Sequence, residues 1–352
     1  MPYRKKDARA RTARRRAARR QAGHGVTLEN VAERAGVAPA TVSRAINHPE
    51  KVARDTLERI NRAIEQTGYL PNLLAGGLAS SRSRLFAAIM PSIANLVYAE
   101  TIQSFTRRIR ENGYQVLLGE SGYNQEEEEA VVAAVLGRRP DGIILIGINH
   151  SLGCRRTLLA AKIPVVEVWD ITPTPLDMVV GYSHEGVGSA VAAYLHGKGY
   201  RRFALVVAGD ARAIKRGQAF EAELARLGIA GDLPKVVTPP GSSLQYGRRR
   251  MAEMLDAGFA GGAVFCSSDR LAHGVLIEAQ ARGLKVPEEL AVVGFGDQDF
   301  APFTYPALTT VRIDRARMGL LAAEALLARV NDEDPGETVV DLGFSIVERE
   351  TA

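Results

Sequence analysis

Long apolar runs are missing from this sequence. No stretch approaches the roughly 20 apolar residues a membrane-spanning helix requires, although 46% of the residues are hydrophobic. The N-terminus also lacks the apolar segment of a secretory signal, so the expected compartment is the cytoplasm. Cysteine is scarce: Cys154 and Cys266 stand far apart, with neither a disulfide framework nor zinc-ligand spacing. Each reads as a buried free thiol, and no metal site or cofactor is expected. Motifs that place a nucleophile, a phosphate cradle or a metal (GxSxG, GxxxxGKS/T, HExxH) are absent too, which argues against an enzyme. The acidic run Glu126–Glu129 opens a predicted helix, where acids favour the N-terminal dipole, and reads as a solvated helix start.

Acidic residues are nearly absent from one place. Residues 1–25 carry ten basic side chains against Asp7 alone, a charge of +9 that leaves −4 for the rest of a chain whose total is +5. Such a tail cannot bury enough apolar surface to fold, but it can track phosphates and add salt-dependent, sequence-independent attraction to DNA. The 352 residues are long enough for a large core plus a small module.

The small module follows the tail. Thr27 is placed to cap a helix in which Leu28, Val31, Ala32 and Ala35 recur at helical spacing, and Gly36 ends it. Pro39 suits the first turn of a second helix, whose Val42 and Ile46 face back toward Leu28 and Val31. Ala40, Thr41, Ser43, Arg44 and Asn47 are left facing outward. Small residues at the start of that helix permit close approach to a duplex, and Arg44 supplies the fork that suits guanine or a phosphate. A third helix over 54–67, with Leu57, Ile60 and Ile64 in one stripe, ends at Gly68.

The run from Val26 to Ser83, through VAERAGV, TVSRAIN and GYLPN, closely resembles the DNA-binding headpiece and hinge of the lac-repressor (LacI) family of bacterial transcription regulators. The resemblance implies a surface of Thr27, Pro39, Ala40, Thr41, Ser43, Arg44, Asn47 and Thr56 on the groove and phosphates. It further implies paired hinge helices over the minor groove with Leu78 wedged between base steps. Gly76 and Gly77 each cost roughly 1 kcal/mol of helix stability, so the hinge is expected to fold only on DNA.

Beyond Ser83, short apolar runs alternate with helical stripes, the pattern of parallel sheets. The expected fold is therefore a small all-α helix-turn-helix headpiece plus hinge helix, then an α/β core of two doubly wound lobes. The expected bounds are a basic tail over 1–25, headpiece 26–71, hinge 72–84 and core 85–352. Lobe 1 is expected over about 85–181 and 310–332, and lobe 2 over about 182–309 and 333–352. A ligand belongs in the cleft, at the carboxyl ends of the strands. This core is similar to the effector domain of the same family, itself periplasmic-binding-protein-like. Ser268 and Gly296 depart from the family pattern; Gly296 replaces an aspartate that often binds a sugar hydroxyl, which argues against an ordinary hexose or pentose.

The resemblance implies a regulator that binds a pseudo-palindromic operator as a homodimer and answers to a small-molecule effector. The stretches MPSIANLVYAE, GYQVLLGESGYNQEEEE and IPVVEVWDITPTPLDMVVGY look most like the gluconate-operon repressors of the family. A sugar acid would be gripped by Arg216, assisted by Lys215, at the start of a second-lobe helix. Asp170, Asp269 and Asp297 would accept hydroxyl protons, Ser92, Asn95 and Asn149 would complete the polyol contacts, and Tyr123, Trp169 or Phe220 would wall the pocket. Another sugar, or a corepressor of opposite sign, remains open. A plain solute-binding protein would need export and leave the headpiece without a purpose. No leucine heptad follows the strand expected over Val339–Val347, so a dimer held by lobe faces, including helix Ala99–Asn112, is expected rather than a tetramer.

Overall fold

The computed structural model describes residues 26–70, 82–229 and 233–352. The basic segment 1–25 and most of the hinge reading, Leu78 included, lie outside them. The chain divides into two units, residues 1–83 and 84–352.

In the first unit, α1 (Leu28–Ala35) begins where Thr27 and Asn30 cap each other: the Asn30 N–H donates to Thr27 Oγ1 (3.4 Å) and the Thr27 N–H to Asn30 Oδ1 (2.9 Å). It ends at Gly36, whose φ of 65° is the left-handed cap that glycine adopts without strain. Then come α2 (Pro39–Asn47) and α3 (Arg54–Thr67), which stops at Gly68. Val31, Ala32, Ala35, Val42, Ala45, Ile60, Ala63 and Tyr69 form one core, with Leu28, Ile46, Leu57 and Ile64 half-buried around it. So small a core leans on its rim: Arg34 Nε donates to Gln66 Oε1 (2.7 Å), tying α1 to α3.

The second unit holds two six-stranded sheets. The first contains β1 (Leu85–Met90), β2 (Gln115–Glu120), β3 (Gly142–Ile146), β4 (Val165–Val168), β5 (Met178–Gly181) and β11 (Val339–Asp341), all parallel, in the order β11-β5-β4-β3-β1-β2. The second contains β6 (Phe203–Ala208), β7 (Lys235–Thr238), β8 (Gly262–Cys266), β9 (Leu290–Phe295), β10 (Thr309–Arg312) and β12 (Ser345–Val347). Its order is β12-β10-β9-β8-β6-β7, with only β12 antiparallel. Helices α4 (Ala99–Glu111), α5 (Gln125–Leu136), α6 (Leu152–Ala161) and α11 (Arg315–Val330) serve the first sheet. Helices α7 (His184–Gly197), α8 (Ala211–Arg226), α9 (Leu244–Asp256) and α10 (Asp269–Ala281) serve the second. Strands covered on both faces must be apolar throughout, and β3, β6 and β9 are buried along their whole length.

The lobe bounds need correction. β10 pairs with β9, so the return to the first lobe comes after Arg312 rather than at 310. β11 pairs with β5, so residues 333–352 are not one second-lobe segment. The strand expected over Val339–Val347 is two short strands in different sheets, with Gly343 (φ 64°) at the crossing between them. Among the described residues no helix is long and apolar enough to cross a membrane.

Candidate DNA-binding surface and effector site

On the headpiece, Pro39, Ala40, Arg44 and Asn47 are exposed, and Thr27, Thr41, Ser43 and Thr56 are half-buried. Ala38 precedes α2 without a side-chain cap; since Pro39 has no N–H and the Thr41 N–H donates to the Ala38 carbonyl, the Ala40 N–H is left for an incoming phosphate. Asn47 is less free than its exposure suggests, because its Nδ2 donates back to the Ser43 carbonyl (2.9 Å). Arg44 makes no ion pair among the described residues. Arg44→Ala is expected to cost roughly 1–3 kcal/mol of operator binding and to relax specificity, whereas Thr56→Ala should weaken all sequences about equally. Competition titrations against scrambled DNA separate the two effects, and an Arg44→Ala protein with undiminished operator preference would refute the base contact.

In the core, the strand ends build a cleft. After β4, Trp169 takes a left-handed φ of 70°, which a bulky side chain adopts only when its surroundings enforce it. The enforcement is visible: the Asp170 carbonyl lies against Gly181, where a Cβ would overlap it, and the Trp169 carbonyl accepts from His184 Nε2 (2.8 Å). His184 Nδ1 faces Arg216 Nη1 at 2.8 Å. A guanidinium only donates, so Nδ1 accepts and the imidazole is the neutral Nε2–H form. Burial, reinforced by Arg216 and Arg212, holds the His184 pKa well below its ordinary value.

α8 opens at Asp210, whose Oδ1 caps the Ala213 N–H (3.1 Å), and carries Arg212 and Arg216 one turn apart. Both guanidiniums are buried, and among the described residues neither has a carboxylate within ion-pair distance. Arg216 Nη2 donates to the Ser267 carbonyl (2.8 Å), and its Cζ lies 3.8 Å from the centroid of the Phe295 ring. Arg212 Nη2 donates to Tyr98 Oη (2.6 Å) across the cleft, and Tyr98 packs edge-on against Trp169 at 5.1 Å. Burial, before any other influence, draws the Arg216 pKa below its ordinary value, and the charge of Arg212 pulls the same way. Four buried polar atoms around this cavity have no hydrogen-bond partner among the described residues: Arg212 Nη1, Arg216 Nε, Trp169 Nε1 and Tyr182 Oη. All four can donate. A site with unpaired cations and spare donors fits an anion bearing oxygens.

The expected effector residues divide. Asn95, Trp169 and Arg216 line this inner cavity, and Tyr123 and Asn149 line an outer one that shares Asp210 and Arg212 with it. Asn95 Nδ2 donates to Tyr123 Oη (3.3 Å), joining the two. The others are corrected. Phe220 is fully buried between Phe203 (6.1 Å) and Phe265 (5.3 Å) in the second-lobe core. Asp170 and Lys215 lie 3.3 Å apart and satisfy each other outside the cavity lining. Asp297 is held by Arg312 (2.6 Å) and Arg349 (2.7 Å). Ser92 sits in the turn after β1 and lines neither cavity. Tyr98, Tyr182, His184, Asp210, Arg212, Ser267 and Phe295 were not anticipated.

Asp269 is sealed in, accepting from Thr310 Oγ1 and the Gln298 N–H (2.7 Å). Burial pushes its carboxyl up to about 6, against the pull of those bonds. A folded pKa above the ordinary carboxyl value means that the fold holds this proton more tightly than the unfolded chain. Its contribution to stability is full below about pH 4 and is lost as pH rises through about 6. Asp269→Asn should therefore gain stability relative to wild type between about pH 4.5 and pH 7.5. Urea midpoints at the two pH values check this, and an unchanged difference would count against the shifted carboxyl.

A helical headpiece with a bare-ended outer helix, joined to a two-lobed core with a polar cleft at its strand ends, defines a ligand-responsive transcription regulator. The model for bacterial regulatory proteins of the lacI family matches residues 27–72, and that for a periplasmic binding protein-like domain matches 192–352. The HTH-type transcriptional regulator GntR of Pseudomonas aeruginosa is 35% identical over 92% of this chain and 95% of its own. A LacI-family regulator structure from Silicibacter pomeroyi superposes with a TM-score of 0.86 at 32% identity, covering 93% of this chain and 99% of that one. The lac repressor dimer bound to operator and the anti-inducer ONPF gives a TM-score of 0.77 at 25% identity, covering 93% and 99%. The chain belongs to the lacI family of DNA-binding transcriptional regulators, which are not enzymes.

Proposed function

We propose that this regulator represses genes of sugar-acid catabolism, binds a pseudo-palindromic operator as a homodimer, and is released by a gluconate-type acid. The observation that carries the effector class is the pair of buried guanidiniums, Arg212 and Arg216, which among the described residues have no carboxylate within ion-pair distance. A carboxylate supplies the missing charge, while Asn95, Asp210 and the serines beside them suit the hydroxyls of a polyol chain. Tyr98 joins Arg212 across the cleft, so a ligand that competes for this guanidinium has different affinity for open and closed lobes. That difference is what an effector needs to shift an equilibrium. Exposed apolar side chains on both lobes, Ile93 and Leu96 on the first and Phe303 and Tyr305 on the second, support association through lobe faces. Sedimentation should give a dimer; a stable tetramer would remove that part of the reading. Calorimetry should show gluconate-class acids binding ahead of neutral glucose or ribose, with operator release in a retardation assay. Preference for a neutral sugar over every acid tried would overturn the effector class.

A further inference from the structure

The acidic run at the start of α5 is not solvated throughout. Glu126 and Glu127 are exposed, but Glu128 and Glu129 turn inward toward the residues that open α6. Glu128 Oε2 lies 2.9 Å from His150 Nδ1, and the ring's Nε2 lies 3.2 Å from Glu167 Oε1. The His150 and Glu167 side chains are 1% and 0% exposed, and among the described residues Nε2 and Oε1 have no partner except each other. Glu167 is oriented by its other oxygen, Oε2, which accepts from the Leu176 N–H (2.7 Å). Cys154 completes the group from the first turn of α6: its N–H donates to Ser151 Oγ (2.9 Å), and Ser151 in turn donates to Glu129 Oε2 (2.7 Å). One ligand atom each from Glu128, His150 and Cys154 lies within 4.8 Å of the other two.

We propose that Glu128, His150 and Cys154 form a zinc site in the wall of the effector cleft, with Glu167 as the outer carboxylate that orients the imidazole. Carboxylate oxygen, imidazole nitrogen and thiolate are the donor types zinc accepts, with bonds of about 2.0–2.3 Å in a tetrahedron. Ligand atoms in such a tetrahedron stand roughly 3.3–3.8 Å apart, so side-chain rotations of about 1 Å close the present spread. A carboxylate behind the far ring nitrogen is the usual support of a metal-bound histidine, and Glu167 Oε1, 3.2 Å from Nε2, is placed for it. Glu128 and His150 also line the outer cleft cavity with Asn124 and Gln125, which gives an entry path. Without metal, the cluster is an imidazolium between two carboxylates. Burial pulls the His150 pKa down, but Glu128 and Glu167 outweigh it and raise it to about 9, while burial, then Glu128 and Glu129, push the Cys154 thiol up to about 12. Zinc takes the place of the Nδ1 proton and of the thiol proton, so each ion bound releases two protons to the solvent. His150 and Cys154 stand four residues apart where α6 opens, but Glu128 comes from α5, so spacing alone could not reveal the set.

The test uses tag-free, full-length protein stripped with a chelator and titrated with Zn(II), then with Co(II) as an optical probe. One zinc per chain is expected, with a thiolate-to-cobalt charge-transfer band and the strong visible bands of tetrahedral cobalt. Cys154→Ser should abolish the charge-transfer band and weaken zinc at least tenfold, and Glu167→Gln, which leaves all three ligands, should weaken it 10–100-fold. Metal-free thermal melts of each variant separate lost ligation from lost folding. Absence of stoichiometric zinc in the wild type, or zinc bound with unchanged affinity and no thiolate band after Cys154→Ser in a folded protein, overturns the site.

Discussion

Arg212→Met should lower affinity for a gluconate-class acid by about 100-fold, and Arg216→Met by at least tenfold. Each change also takes the donor from buried acceptors (Tyr98 Oη, or His184 Nδ1 and the Ser267 carbonyl), so the ligand-free protein should lose about 1–3 kcal/mol of stability. Hydrogen bonds to a charged partner contribute about 1.5–3 kcal/mol each, so removing the main grip on a buried carboxylate costs on the order of two decades in Kd. The order of the two residues follows from what each already holds. Arg216 gives Nη1 to His184 and Nη2 to Ser267, which leaves Nε without a partner. Arg212 gives Nη2 to Tyr98 and keeps all of Nη1 unpaired, so it has more to offer a ligand. Methionine keeps most of the stem's packing without the charge. Burial and the charge of Arg212 disfavour the Arg216 cation, which offsets part of the stability cost at Arg216; burial disfavours Arg212 as well, but Tyr98 and Asp210 outweigh it and raise its pKa. Calorimetry with gluconate and glucose, paired with melting of the ligand-free variants, reads both effects. If both variants keep wild-type affinity for the acid, the guanidiniums are structural and the carboxylate grip is wrong.

The headpiece was legible because its core is a single helical stripe per element: Leu28, Val31, Ala32 and Ala35 sit at spacings only one period explains. Buried parallel strands such as Gly142–Ile146 were legible for the opposite reason, as unbroken apolar runs. Lys235–Thr238, an edge strand of four residues with one buried side chain, carries neither signal. Nothing in Val339–Val347 records that its two halves pair in different sheets, since pairing is a property of the neighbours. At the cleft, Phe220 shares a helix face with Arg216 and was expected beside it. The longer side chain reaches the cavity over Phe295, while Phe220 stops in the Phe203–Phe265 core. The same i,i+4 spacing read in the other direction would have found Arg212. Asp297 and Asp269 stand at strand ends, where a ligand is expected, but Arg312, Arg349 and Thr310 claim them from distant parts of the chain. Tyr98 and Tyr182 carry no sequence sign that separates a cavity wall from ordinary core.

Gly188→Ala should damage the second lobe and its effector site together. Gly188 lies on α7 where that helix meets α8, and a Cβ there would overlap the carbonyl oxygen of Arg216 and stand 2.9 Å from both the Phe220 nitrogen and the Ala219 Cβ. Two of these three atoms belong to the backbone, which cannot rotate away, so α8 must shift as a unit. Its Phe220 is wedged among buried aromatics that resist the shift. Overpacking of this kind costs about 1–3 kcal/mol and occasionally more, which for a domain of this size lowers Tm by roughly 2–12 °C. The same displacement carries Arg212 and Arg216 away from Tyr98, His184 and the Ser267 carbonyl, so effector affinity should fall with stability although no cleft side chain has changed. Gly197→Ala, at the far end of α7, is the internal control. An added Cβ there meets nothing within 4 Å, and replacing a helical glycine by alanine should be neutral or stabilising by about 0.4–1 kcal/mol. Thermal melts and acid titrations of the two variants side by side decide the matter. Equal behaviour of the pair would mean that α7 and α8 have room between them and that their close approach does not set the position of the arginines.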